Sequence, residues 1–104
     1  MLNNLKEAKG KLPIHYAVAK GDPEIVKYLI DILRADHDAK DKEGNSPFFT
    51  AVEHGHLEMV KYFINELKVS PHSVKEGNIN ALHIASNHNH TDVMKFLLDE
   101  GCDF

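Results

Sequence analysis

Apolar residues come along this chain in short bursts with helical spacing. Met59, Val60, Phe63 and Ile64 fall at i, i+1, i+4 and i+5, which places them on one side of a helix. A smaller burst, Phe48, Ala51 and Val52, precedes it, and Gly55-His56 lies between the two. Gly tolerates the left-handed backbone that closes a helix, so the stretch predicts helix, tight turn, helix. The same pattern occurs three times. LPIHYAVAKGDPEIVKYLI starts at Leu12, SPFFTAVEHGHLEMVKYFI at Ser46 and NALHIASNHNHTDVMKFLL at Asn80, a period of 34 residues with no insertion or deletion. A fixed period in the range of about 20 to 50 residues predicts a solenoid of stacked units.

The punctuation agrees with the periodicity. Ser46 and Asn80 are good N-caps, and Pro13 and Pro47 stand where a first-turn proline is tolerated. Leu12 takes the cap position in the first unit, where the cap should be weaker. Glu24, Glu58 and Asp92 put a carboxylate in the first turn of each second helix, where the helix dipole favours it. Polar segments precede each first helix, with Gly10, Gly44 and Asn78 in register, and read as projecting turn tips.

These units resemble ankyrin repeats, whose pattern is a β-turn and two helices with a T-P-L-H-x-A motif. The motif stands here as Leu12-Pro-Ile-His-Tyr-Ala17, Ser46-Pro-Phe-Phe-Thr-Ala51 and Asn80-Ala-Leu-His-Ile-Ala85, and Gly55-His56-Leu57-Glu58-Met59-Val60 matches a second family stretch. The resemblance implies an all-α ankyrin-repeat solenoid, a single domain over 1–104 with repeats at about 7–40, 41–74 and 75–104, and membership of a longer array. Phe49 replaces the motif His in the middle unit, so the polar link to the next unit should be lost there. The family's helix-ending Gly is missing after the first two second helices and present only as Gly101. Those two helices are therefore expected to run about a turn longer or to end raggedly.

Composition narrows the function. With 42% hydrophobic and 27% charged residues the chain suits an ordinary globular interior. A net charge of −4, with Lys and Arg scattered, argues against a nucleic-acid partner. No apolar run approaches the ~18 residues of a membrane span, and the first residues lack the apolar core of a secretory signal. One cysteine, Cys102, suits a reducing compartment, so the cytoplasm is the expected location and the nucleus is compatible with it. No catalytic motif, cofactor site or nucleophile arrangement is legible, so the chain reads as non-enzymatic.

Among the eight histidines, His54, His56, His88 and His90 flank two successive turns and form a weak candidate metal set. The competing reading has turn histidines bonding to the backbone of the neighbouring turn, with His15 and His83 as buried polar links. The resemblance implies that a protein partner binds the concave strip of turn tips and first helices. Carried over, that strip comprises Lys9, Lys11, Lys42, Glu43, Asn45, Glu76 and Ile79 at the tips, and Lys20, Glu53, His54, Asn87 and His88 on the first helices. Ile79 is the one apolar residue at a tip, which reads either as a binding anchor or as a satellite contact within the hairpin stack. The alternative is a structural or regulatory spacer within a longer array. Uncapped end units also predict weak self-association.

Overall fold

The computed structural model describes residues 12–75 and 77–102, so Gly10 and the tip of the first unit lie outside the described residues. Three helix pairs follow one another: α1 (Pro13–Lys20) with α2 (Pro23–Asp31), α3 (Pro47–Glu53) with α4 (Leu57–Asn65), and α5 (Ala81–Asn87) with α6 (Thr91–Asp99). α1, α3 and α5 pack in a row, with the second helices behind them. Among the described residues the fold is all-α apart from one short antiparallel hairpin, β1 (Val74–Lys75) with β2 (Ile79–Asn80), in register Lys75 opposite Ile79. It turns on Gly77 and Asn78, both at positive φ. Among the described residues no helix is long and apolar enough to cross a membrane.

The helix starts follow from their caps. Ser46 Oγ accepts from the Phe49 N–H, and Asn80 Oδ1 from the His83 N–H. Leu12 has no side-chain cap, as expected, but its own N–H donates to His15 Nδ1. Asp22 caps α2 by accepting from the Glu24 and Ile25 N–H groups.

The core is continuous through the stack. Val18, Phe48, Val52, Val60, Phe63, Ala85, Val93 and Leu97 are buried, and they come from all three units. Burial at equivalent positions shows which way each residue faces. Ile25 is 51% exposed in the first unit, whereas its equivalents Met59 and Val93 are 1% and 0% exposed beneath a preceding unit. No single pair encloses such an interior, which is why stability in a solenoid resides in unit-to-unit interfaces.

The expectation of longer second helices is corrected. α2, α4 and α6 all have nine residues. The residue by which the period of 34 exceeds the roughly 33 typical of ankyrin repeats is absorbed in a widened turn instead: Leu33 N–H bonds the Tyr28 carbonyl and Ala35 N–H the Leu29 carbonyl, and Leu67 and Val69 repeat this against Tyr62 and Phe63. Arg34 and Lys68 take the left-handed conformation, at φ 58° and 60°. After α6 the tighter closure returns, with Gly101 left-handed and Cys102 N–H on the Leu97 carbonyl.

Candidate functional site

Each joint between units is fastened by histidine. His15 is buried. Its Nδ1 accepts from the Leu12 N–H, so Nε2 carries the proton and donates to the Ala39 and Asn45 carbonyls of the next tip, at 2.9 and 3.1 Å. At the turns, His56 Nε2 donates back to the Ala19 carbonyl at 2.8 Å, and His90 Nε2 to the Glu53 carbonyl at 2.7 Å. These rings lie over Gly21 and Gly55, where an added Cβ would come within 2.8 and 2.5 Å of them. Glycine is required at both points by the ring above as well as by the positive φ.

His54 and His88 each donate Nδ1 to the carbonyl one turn back, Thr50 and Ile84, at 3.0 Å. They stack on His56 and His90 with ring centroids 6.0 and 5.9 Å apart. All four rings of the candidate metal set thus hold backbone carbonyls. Among the described residues no three His, Cys, Asp or Glu side chains are grouped to hold a metal ion. Cys102 is buried, with Sγ donating to the Pro71 carbonyl.

Two links differ from expectation. His83 is exposed rather than buried: its Nδ1 accepts from the Asn80 N–H, and no following tip stands opposite its Nε2 among the described residues. Phe49 is 3% exposed beside Phe48 and lines a cleft with Val69 and Val74, so an apolar contact replaces the polar link in the middle joint.

Beside the third unit's hairpin and first helix, the second and third units leave a groove of about 350 Å³. Ile79 and Ile84 supply its apolar surface, and Glu53, Asn87, His88, Lys75, His83 and Asn45 complete it. Five residues of the expected strip therefore meet in one place: Asn45, Glu53, Ile79, Asn87 and His88. Asn45 contributes from below. It is 6% exposed; its N–H donates to Asp41 Oδ1, and its own Oδ1 accepts from Lys75 Nζ at 2.6 Å. That bond holds the Lys75 ammonium at one side of the groove. On the other side His88 Nε2 lies 3.9 Å from Glu53 Oε2, an ion pair only when the ring is protonated.

Lys20, Lys42, Glu43 and His54 are on the surface outside this groove, and Lys9, Lys11 and Glu76 fall outside the described residues. Lys75, His83 and Ile84 were missed as groove residues by sequence reasoning, which read His83 as a buried link. Lys75 is in register with Asp41 and Ile84 with Thr50, both buried, so the period alone marks those positions as structural.

Comparison with known proteins fits this geometry. A family profile described as ankyrin repeats, in three copies, matches residues 14–104. No curated protein matches the sequence. Among solved structures, a chain of the complex described as Bd0816 predatory endopeptidase from Bdellovibrio bacteriovorus with immunity protein Bd3460 is 28% identical, with a TM-score of 0.77. The alignment covers 89% of the present chain and 48% of that one, so the present chain spans about half its length.

Proposed function

Because the chain belongs to the ankyrin-repeat family, whose members generally serve as protein-binding modules, we propose that it is a non-catalytic recognition module that takes its partner in the groove between the second and third units. The observation that carries this reading is the groove itself: an apolar floor at Ile79 and Ile84 within a polar rim. An apolar side chain of the partner enters between the two isoleucines, and polar groups meet Glu53 and Asn87 on either side. Preorganisation limits the entropy lost on docking, and water-excluding contacts around one buried anchor are how a small interface gains affinity. The solved chain that it resembles belongs to a structure of two proteins in complex, which supports the same reading. We place the module inside the cell, where Cys102 stays a thiol.

The test is capture of partners by three immobilised forms: wild type, Ile79→Glu, and Lys61→Glu on the second-helix side. Proteins retained by wild type and Lys61→Glu but lost with Ile79→Glu, then reconstituted from purified components, meet the expectation. Equal capture by all three refutes a groove-bound partner and favours the spacer reading.

A further inference from the structure

Among the described residues the first and third units each have one face without a neighbouring unit, and the deviations of these two faces from the internal joints match one another. On the face beyond the third unit, Met94 is half-buried and Leu98 is 40% exposed, whereas the equivalent Val60 and Ile64 are buried. With Leu82 they line a shallow hollow of about 370 Å³. On the face before the first unit, Ile25 and Tyr28 are 51% and 55% exposed.

Two periodic contacts are each left with one half at each face. Lys27 Nζ lies 5.2 Å from the Tyr62 ring centre and Lys61 Nζ 5.9 Å from that of Phe96. The third lysine of the row, Lys95, stands at the far face, and the third ring, Tyr28, at the near one. The turn position behaves likewise. Internal joints pair a glycine with the histidine lying over it, Gly21 with His56 and Gly55 with His90. At the far face the glycine position is Asn89, left-handed at φ 59°, whose Cβ occupies the space a histidine ring would need. At the near face the histidine position is Asp22, which is smaller and whose carboxylate can accept from an asparagine amide. The two exceptions to the Gly–His rule are therefore complementary to each other.

We propose that the far face of one molecule stacks on the near face of a second copy of this chain, continuing the solenoid head to tail, with Leu98 and Met94 against Ile25 and Lys95 over Tyr28. Such an interface is heterologous and does not close, so association proceeds past the dimer as concentration rises. Asp22 cannot donate to a carbonyl as His56 and His90 do, and the joint is intermolecular, so it is weaker than the internal joints.

Sedimentation velocity of the full chain over about a hundredfold concentration range tests this. The wild type is expected to sediment faster as concentration rises. Leu98→Glu and Ile25→Glu, each at an exposed position, should each weaken association by at least about tenfold, and an equimolar mixture of the two should recover a species that stops at the dimer. Lys95→Glu provides a second far-face variant if Leu98→Glu fails to fold by circular dichroism. Ile79→Glu in the groove should associate like wild type, which separates this interface from partner binding. A wild type that stays monomeric throughout, a mixture that stays monomeric, loss with Leu98→Glu but not Ile25→Glu, or loss with Ile79→Glu overturns the proposal.

Discussion

Gly55→Ala tests the claim that the units are fastened by a histidine ring lying over a glycine. Two costs add at this position. The first is backbone strain: Gly55 has φ +70°, where an L-residue costs about 1–2 kcal/mol, offset by the ~0.4–1 kcal/mol that alanine gains by restricting the unfolded chain. The second is steric. The new Cβ would sit 2.5 Å from His90 Nδ1 and 2.8 Å from Cγ, so the ring must move and the bond from Nε2 to the Glu53 carbonyl is lost. Overpacking costs about 1–3 kcal/mol and a hydrogen bond contributes about 1 kcal/mol, so the total comes to about 3 kcal/mol. Gly44→Ala is the control. Gly44 has φ +80° with nothing within 4 Å of the added Cβ, so it incurs the backbone strain alone, about 1 kcal/mol. Urea unfolding followed by far-ultraviolet circular dichroism should separate the two variants by about 2 kcal/mol, a large part of the ~5–15 kcal/mol stability of an ordinary domain. In a His90→Ala background the excess should vanish, because no ring remains to be displaced. Equal losses for Gly44→Ala and Gly55→Ala, or an excess that persists without His90, would refute the reasoning.

Two further predictions concern the backs of the units. Lys68→Gly relieves a left-handed side-chain-bearing residue in the widened turn and should stabilise by about 0.5–1 kcal/mol, the strain less the entropy glycine adds to the unfolded chain; a loss in urea unfolding would show that the turn carries no strain. Tyr62 has its hydroxyl pKa raised above the ordinary 10.0, first by burial and then by the charges of Asp31 and Glu66. The folded state then holds its proton more tightly than the unfolded chain, so this contribution is complete below pH 10 and is lost as pH rises through the folded value. Melting curves from about pH 9 to 11 should fall more steeply for wild type than for Tyr62→Phe, and parallel curves would contradict the sign.

The concave strip shows how far the pattern can be read. The family resemblance implied that Glu53, Ile79, Asn87 and His88 share one strip, and the structure brings them to one groove. Periodicity is silent on depth. Asn45 looks like a polar tip residue, yet His15 from the preceding unit donates to its carbonyl and Lys75 from the following tip to its side chain, and together they bury it. Ile84 lines the groove together with Ile79, a pairing across a helix and a tip that neither position reveals by itself.

The sequence alone determined the repeat, its helix pairs, the caps at Ser46 and Asn80 and the left-handed turns at Gly21, Gly55 and Asn89, since each follows from local backbone preference and a period counted along the chain. Only the tertiary structure decided where the extra residue of each period goes. A left-handed Arg34 or Lys68 has no compositional mark, and the turn around each is closed by the Ala35 and Val69 N–H groups bonding back to the Leu29 and Phe63 carbonyls. The stack also decided that His15 is buried and His83 exposed, although both occupy the same motif position. A residue that faces the next unit has its burial set by whether that unit is there.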